Sequence, residues 1–143
     1  MIEAIGNIWD YKADCIVITT NGYVRQDGAC VMGRGVALQA KRKFPGIEYR
    51  IGDAIRRQGN HLYNMGRVCT FPVKHYWYQA ADLDLIHRSA EELAVEARAL
   101  HTLTFVMPRP GCGNGRLHWS VVRPLIEKIL PDNVCIIELP GVA

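Results

Sequence analysis

The segment from Cys15 to Phe44 constrains the fold most, because it joins a buried strand to a helix through a glycine-containing loop. Its continuous apolar and β-branched run, Cys15–Thr20, is typical of a strand buried on both faces of a sheet. The run ends at Asn21-Gly22, a pair that favours a turn. Further on, Gly33 and Gly35 precede residues at helical spacing. Unpaired N–H groups at the start of a helix predict a phosphate or pyrophosphate site here.

The rest of the chain alternates predicted strands with predicted helices. Strands are predicted over 2–8, 67–71, 102–107 and 134–139, with a further short strand or hairpin arm over 61–64. Helices are predicted over 36–44, over 48–58, from Asp82 as the N-cap, and over 121–129. The segment from Pro72 to Ala81 is predicted to be irregular. This alternation predicts an α/β fold, a three-layer α/β/α sandwich with a mixed, largely parallel central sheet, in one domain over residues 1–143.

A second glycine-rich loop, Pro108–Gly115, also follows a predicted strand and leads into a helix. Because ligands collect at the carboxyl ends of parallel strands, we expect both loops to face one crevice and to suit two linked phosphates. The alternating Gly111, Gly113 and Gly115 indicate close approach of backbone to ligand, with a flexible loop as the alternative. Neither loop has the P-loop or dinucleotide-binding signature, since Leu38 stands at the third glycine position of the latter.

Composition narrows the class of protein. The 143 residues carry a net charge of +3, which suits an anionic ligand but is too weak for a dedicated nucleic-acid binder. No apolar run reaches membrane-spanning length, and the N-terminus does not read as a signal peptide. Five cysteines without a C-x-x-C pair or zinc spacing predict free thiols in a reducing compartment. We therefore expect a cytoplasmic protein that needs no metal or cofactor and has no membrane partner.

Lys74 lies in an aromatic segment between a predicted strand and a predicted helix. From position alone a solvated surface lysine is favoured, whereas burial against the aromatic rings would lower its pKa and free the amine for nucleophilic or proton-transfer chemistry. His75 and His118 are candidate acid–base groups that can equally be structural. The nearby aromatic residues either offer a stacking surface for a base or close the core over the sheet edge: Phe71, Tyr76, Trp77 and Tyr78.

Several ordered blocks together resemble a known family, the macrodomains, which are ADP-ribose-binding α/β/α modules. Gly6–Trp9 stands where that family has Gly-Asp-Ile, and Ile16–Asn21 resembles its V-N-x-x-N strand end. Val31–Gln39 is similar to the V-M-G-K-G-I-A-x-Q phosphate loop of the DarG antitoxins. Phe71–Trp77 resembles F-P-T-K-x-H-W, and Pro108–Trp119 resembles P-x-x-G-C-G-x-G-x-L-x-W. The resemblance covers nearly the whole chain and is strongest to the branch of DarG and the terminal ADP-ribose glycohydrolases.

The resemblance implies a role for each matching residue. Lys74 and Asn21 would be the catalytic residues, with Asn21 near the distal ribose. Asn7 and Ile8 would lie at the adenine. The remaining ligand-binding positions implied for ADP-ribose are Thr20, Val31, Met32, Gly33, Arg34, Gly35, Val36, Pro108, Gly111, Cys112, Gly113, Asn114 and Gly115.

Two positions depart from the family pattern. Asn7 replaces an aspartate that accepts a hydrogen bond from the adenine amine, although an amide oxygen can still accept. Gly115 stands where the protein-directed glycohydrolases carry a catalytic aspartate and where the DarG branch has glycine. The second departure points away from glutamate-linked protein substrates and towards nucleic acid.

The function that the resemblance implies is removal of ADP-ribose from a modified macromolecule, most directly DNA bases. A phosphatase acting on ADP-ribose 1''-phosphate and a non-catalytic ADP-ribose reader are the alternatives. The partners expected are ADP-ribose and ADP-ribosylated DNA, with ADP-ribosylated protein less favoured, and the chain is expected to be a monomer. An antitoxin domain, a housekeeping enzyme and a phage counter-defence factor all remain open.

Overall fold

Strands and helices alternate along the chain in the computed structural model, which describes residues 1–141. The elements are β1 (Ile2–Ile5), β2 (Cys15–Asn21), α1 (Gly35–Lys43), α2 (Ile47–Gln58), β3 (Val68–Lys74), α3 (Leu83–Ala99), β4 (Phe105–Pro108), α4 (Trp119–Glu127) and β5 (Val134–Glu138). The strands form one sheet in the order β1-β5-β4-β2-β3. Residues 142 and 143, which the predicted domain 1–143 includes, lie outside the described residues.

The sheet is more uniform than the sequence predicted. All four strand pairings are parallel, and in residues 1–141 the antiparallel contacts are two isolated bridges, Val24 with Cys30 and Asn64 with Cys69. The predicted strand over 61–64 is therefore reduced to one bridge beside β3. The three-layer α/β/α class is confirmed, with a parallel sheet in place of a mixed one.

Alternate strand residues face two hydrophobic clusters, one on each side of the sheet. Cys15 and Val17 of β2 pack with apolar residues of α3 and α4, whereas Ile16 and Ile18 pack with α1 and α2. Side chains of a strand alternate between faces, so a strand buried on both sides reads as a continuous apolar run. This is why the pattern at Cys15–Thr20 predicted β2 correctly.

The start of α3 also follows the prediction. The Asp82 side chain accepts hydrogen bonds from the backbone N–H groups of Asp84 and Leu85. This capping satisfies donors that the first helical turn leaves free.

The predicted end of β3 at Phe71 is wrong, because the strand continues through Pro72 and Val73 to Lys74. Proline lacks an N–H group and normally interrupts a strand. Here β3 is the edge strand of the sheet, where one side of the backbone needs no partner strand. The extra residues carry Lys74 to the carboxyl end of the sheet.

Candidate functional site

A cavity of about 910 Å³ opens at the carboxyl ends of β2, β3 and β4. β2 and β4 are neighbours, yet α1 and α4, which follow them, pack on opposite faces of the sheet. Such a topological switch point is where open parallel sheets bind ligands. The volume is in the range of small-molecule sites.

Most of the residues predicted from the sequence line this cavity. They are Thr20, Asn21, Val31, Met32, Gly33, Arg34, Gly35, Val36, Lys74, Pro108, Gly111, Gly113, Asn114 and Gly115. Three others predicted to bind the ligand, Asn7, Ile8 and Cys112, are not part of the lining. The structure therefore brings the two glycine-rich loops and the lysine together, and their roles toward a ligand stay predictions.

The start of α1 presents backbone donors to the cavity. Its N-cap residue, Arg34, makes no side-chain capping hydrogen bond, and the first turn holds no acidic residue. A Cβ atom built on Gly33 would meet nothing within 4 Å. The first-turn N–H groups and the positive end of the helix dipole are thus available to an anion.

The loop between β2 and α1 packs against α2. The bridge between Val24 and Cys30 makes a small hairpin, and the Cys30 N–H donates to the carbonyl of Glu48 at 2.9 Å. A Cβ atom on Gly52 of α2 would overlap the carbonyl oxygen of Gly28. Close helix–loop contact at a glycine therefore fixes this side of the cavity.

In the loop between β4 and α4, two of the loop's own glycines pack closely against neighbouring atoms. Gly111 has φ +76, and a Cβ atom there would lie 2.8 Å from the Ile86 side chain. A Cβ atom on Gly115 would lie 2.5 Å from the Gly111 carbonyl oxygen and 2.8 Å from the Ala81 Cβ. An aspartate at position 115 would meet the same atoms, so this loop conformation has no room for the side chain that protein-directed glycohydrolases carry there.

The two loops approach each other across the cavity. A Cβ atom on Gly35, which has φ +59, would lie 3.5 Å from the Asn114 side-chain nitrogen. The loops thus form two walls of one crevice, as the placement of the glycines predicted.

Arg116 has φ +65 and is the one non-glycine residue with positive φ in the part of the chain that the structure describes. This left-handed conformation costs a residue with a Cβ atom on the order of 1 kcal/mol. Its N–H donates to the Gly113 carbonyl at 3.1 Å, and its exposed side chain lines the cavity.

Lys74 reaches the cavity because of an irregularity in the pairing of β2 with β3. Thr20 pairs with Pro72, but the next pair is Asn21 with Lys74, so Val73 is an additional residue in β3. The bulge places the two predicted catalytic residues opposite each other at the carboxyl end of the sheet. The Lys74 Nζ donates to the backbone carbonyls of Asn114 at 3.3 Å and of Trp77 at 3.4 Å.

The environment of Lys74 lowers the pKa of its amine. Partial burial lowers its pKa, and the guanidinium groups of Arg116 and Arg34 lower it further. Lys74 is half-buried and lines the cavity, so it is not the fully solvated surface lysine that its position alone favoured.

The charge lining the cavity is entirely positive among the described residues. Arg25, Arg34, Lys74, Arg109 and Arg116 line it, and no aspartate or glutamate does. Arg25 is paired with Asp27 at 3.3 Å and Arg109 with Glu138 at 3.5 Å. The ion pairs found within residues 1–141 do not involve the other three cations, whose charge is available to an anionic ligand.

Asn21 holds the first loop through both ends of its amide. Its Nδ2 donates to the Val31 carbonyl at 2.8 Å, and its Oδ1 accepts from the Tyr23 N–H at 2.9 Å. The side chain keeps one amide hydrogen for a ligand. Its position beside Lys74 agrees with the predicted site, while its hydrogen bonds show that it also positions the loop.

Asn7 and Ile8, predicted at the adenine, lie beside the core that packs on α1. Ile8 is buried in that core cluster, and Asn7 is exposed. The Asn7 Oδ1, the atom proposed to accept from adenine, already accepts from the Trp9 N–H at 2.9 Å.

Cys112, predicted to bind the ligand, and the acid–base candidates His75 and His118 do not line the cavity. The Cys112 Sγ faces the Pro110 carbonyl at 3.5 Å, and burial raises the pKa of this thiol to about 11, which keeps it protonated at neutral pH. The His75 Nε2 lies 3.5 Å from the Asp82 carboxylate, and His118 is the exposed N-cap of α4.

Sequence reasoning missed several lining residues, among them Tyr23, Arg25, Arg109 and Arg116. All four lie within the predicted loops or directly beside them. Loop membership was therefore the available signal, but nothing in the sequence distinguished side chains that face inward.

The two interpretations of the aromatic segment apply to different residues. Phe71 is fully buried in the core, whereas Tyr76, Trp77 and Tyr78 are exposed, and the last two line the cavity.

Comparison with solved structures identifies the fold. The chain superposes on the macrodomain of Thermus aquaticus DarG with a TM-score of 0.77 and 26% identity, covering 96% of this chain and 95% of that one. It also superposes on Thermosipho africanus DarTG in complex with ADP-ribose, with a TM-score of 0.77 and 22% identity, covering 95% of this chain and 40% of that one. The chain has a macrodomain fold, as the resemblance predicted.

The sequence relatives include both kinds of protein in the branch that the motifs indicated. A DNA ADP-ribosyl glycohydrolase of Thermus aquaticus is 26% identical over 136 residues, covering 87% of this chain and 36% of the relative. The human ADP-ribose glycohydrolase OARD1 is 25% identical over 108 residues, covering 70% of this chain and 67% of OARD1. No family model matches the chain. The chain spans about a third of the length of the DNA ADP-ribosyl glycohydrolases that it matches.

Proposed function

We propose that this chain is an ADP-ribosylglycohydrolase that binds ADP-ribose in the cavity and releases it from modified DNA bases. The observation that carries the proposal is the position of Lys74, in a cationic cavity between two glycine-rich loops. The relatives support it, since the Thermus aquaticus protein is named a DNA ADP-ribosyl glycohydrolase and OARD1 an ADP-ribose glycohydrolase. The Thermosipho africanus structure with the same fold contains ADP-ribose.

The proposed binding mode places the diphosphate at the start of α1. Free N–H groups of the first helical turn would donate to the phosphate oxygens, and Arg34 and Arg116 would add charge-assisted hydrogen bonds. The β4–α4 loop would close over the diphosphate from the other side. The distal ribose then lies beside Asn21 and Lys74, at the carboxyl ends of β2 and β3.

The bond broken joins the anomeric carbon of the distal ribose to a nitrogen of the base. One water is consumed; its hydroxyl is added to the anomeric carbon, and the departing base nitrogen takes a proton. Most glycosidases use a pair of carboxylates for this chemistry. No carboxylate lines this cavity within residues 1–141, and we assign the chemistry to Lys74, which lies where the distal ribose is proposed to bind. We propose that no metal or cofactor is required.

Lys74 can act in either of two ways. As a general acid, its ammonium donates the proton to the departing base. As a nucleophile, its neutral amine attacks the anomeric carbon, the base leaves with a proton, and water then releases ADP-ribose and restores the amine. The lowered pKa of Lys74 increases the neutral fraction that the second route needs.

Replacing Lys74 with alanine tests the central assignment. We expect Lys74→Ala to slow release of ADP-ribose by about 10³-fold, because it removes the proton donor or nucleophile. Affinity for free ADP-ribose should change little, since the loops and arginines remain. The measurements are single-turnover release from ADP-ribosylated single-stranded DNA and calorimetry with ADP-ribose. Lys128→Ala, an exposed lysine outside the cavity, is the matched control; full activity of Lys74→Ala would remove Lys74 from the mechanism.

A parallel assay of two substrates identifies the macromolecule from which the protein releases ADP-ribose. We expect faster release of free ADP-ribose from ADP-ribosylated single-stranded DNA than from ADP-ribosylated protein, because the loop at Gly115 has no room for a catalytic aspartate. Release of phosphate from ADP-ribose 1''-phosphate would instead indicate the phosphatase. Binding of ADP-ribose with no release from any substrate would indicate a reader.

The cellular setting is part of the same proposal. All five cysteines are free, and four of them are buried, which fits a reducing cytoplasm. Within the described residues, none of the helices combines the length and apolar character needed to cross a membrane.

A further inference from the structure

Four exposed aromatic rings, three of which line the cavity, form one continuous cluster. They are Tyr23, Tyr76, Trp77 and Tyr78, here called the aromatic platform. The ring centroids of Tyr76 and Tyr78 are 5.8 Å apart in a stacked pair, with 24° between the planes. Tyr23 adjoins Tyr76 at 6.1 Å, and Trp77 adjoins Tyr78 edge-on at 5.5 Å. These are the distances of interacting aromatic pairs.

The platform is not part of the hydrophobic core. Exposed fractions are 38% for Tyr23, 45% for Tyr76, 51% for Trp77 and 58% for Tyr78, and none of the four belongs to either core cluster. Contiguous exposed rings of this kind mark interaction sites.

The platform also connects two cavities. Tyr23, Trp77 and Tyr78 line the large cavity that contains Lys74. Tyr23 and Tyr76 line a second cavity of about 360 Å³ together with Gly22, Val24, Asn60 and His75. A molecule that extends out of the large cavity therefore passes over exposed aromatic faces toward a second recess.

We propose that the aromatic platform is the docking surface for the single-stranded nucleic acid that carries the ADP-ribose, with bases next to the modified one stacking on Tyr76 and Tyr78. This inference rests on the proposed function for the position of the modified base. Unpaired bases expose both faces and stack on aromatic side chains, whereas bases within a duplex have theirs covered.

The charge around the platform fits a phosphodiester backbone. Arg25, which pairs with Asp27 at 3.3 Å, lies on the same hairpin as Tyr23 and lines the large cavity with it. Arg34 and Arg116, the cations proposed to hold the diphosphate, line the same cavity as Tyr23, Trp77 and Tyr78. Rows of aromatic rings beside cations are the usual means of holding single strands without reading their sequence. A peptide carrying ADP-ribose offers neither a series of flat bases nor a phosphate backbone to this combination.

Tyr76→Ala tests the proposal because Tyr76 lies outside the large cavity. The probe is a fluorescein-labelled, unmodified ten-nucleotide single-stranded DNA measured by anisotropy. We expect affinity to fall about tenfold, from loss of one stacking contact. On ADP-ribosylated DNA, KM should rise by a similar factor with kcat unchanged, while affinity for free ADP-ribose stays the same and shows that the variant is folded. Tyr76→Phe should restore binding, because stacking needs the ring and not the hydroxyl.

Tyr49→Ala is the matched control, since Tyr49 is 50% exposed on α2 and lines neither cavity. Equal DNA affinity of Tyr76→Ala and the unaltered protein would overturn the proposal, as would equal binding of duplex and single-stranded DNA. Tighter binding of an ADP-ribosylated peptide that Tyr76→Ala weakens would assign the platform to a protein partner instead. If the protein releases ADP-ribose from no substrate, the proposed function fails, but the anisotropy comparison still decides whether the platform binds single strands.

Discussion

In the loop after β2, Gly33 faces open space, whereas in the loop after β4 a side chain on Gly111 or Gly115 would collide with neighbouring atoms. The hairpin of the first loop packs against α2, a helix outside the loop, which stabilises its conformation. The second is compressed against Ala81 and Ile86 at the start of α3, and Arg116 takes a strained conformation at its end. Gly33 of the first loop and Gly113 of the second both face open space. Close packing against the first loop depends on Gly52 of α2, whereas close packing of the second depends on the loop's own Gly111 and Gly115.

Gly115→Ala gives the largest expected effect, because it attacks packing directly. A Cβ atom 2.5 Å from the Gly111 carbonyl oxygen must displace backbone, which we expect to lower the free energy of unfolding by about 2 kcal/mol. Affinity for ADP-ribose should fall with it. Thermal unfolding and calorimetry are the measurements. Gly113→Ala, which meets nothing within 4 Å, is the control, and equal stability of the two variants would contradict close packing at Gly115.

Arg116→Gly should separate strain from function in the same loop. Glycine adopts φ +65 without penalty, so we expect the free energy of unfolding to rise by about 1 kcal/mol. Loss of the guanidinium group should raise the pKa of Lys74, which Arg116 now lowers. Arg116→Ala removes the same charge but keeps the strain, and it serves as the control for stability.

The pH–rate profile of Arg116→Gly then distinguishes the two roles of Lys74. If the neutral amine attacks, the rate rises with pH through the Lys74 pKa, and this rising limb moves to higher pH in the variant. If the ammonium donates a proton, the rate falls with pH, and the falling limb moves to higher pH. An unchanged profile would show that Arg116 does not act on Lys74.

Gly33→Ala should have the smallest effect on stability, within about 0.5 kcal/mol, because its Cβ atom meets nothing in the folded protein. Affinity for ADP-ribose should nevertheless fall, since the methyl group lies at the surface proposed for the diphosphate. Unfolding in urea and calorimetry test the two parts. A stable variant with unaltered affinity would remove this backbone from the proposed binding mode.

The sequence predicted the fold class because its strands are buried on both faces and its helices are amphipathic. The end of β3 was missed because Pro72 breaks a strand pattern, and only the position of β3 at the sheet edge, a tertiary fact, makes proline acceptable there. The bulge that aligns Lys74 with Asn21 was likewise invisible, since no residue type marks it.

For the site, the position of a residue along the chain predicted which loops form the cavity, but not which side chains face into it. The glycine-rich loops were predicted to share a crevice because both follow strands, and they do. The competition of Trp9 for the Asn7 oxygen depends on a local turn, and the inward direction of Tyr23 depends on the hairpin that α2 supports. Neither contact is marked by a residue pattern in the sequence.

The absence of carboxylates from the lining within residues 1–141 has a consequence for solution conditions. Guanidinium groups keep their charge throughout the pH range in which proteins are stable. The attraction of the arginines for a diphosphate would therefore respond little to acidity, but it would weaken as dissolved salt screens them. Salt concentration would change the affinity for ligand through the arginines. A change of pH would act through Lys74, so the effect of pH on the reaction would report the protonation of that residue.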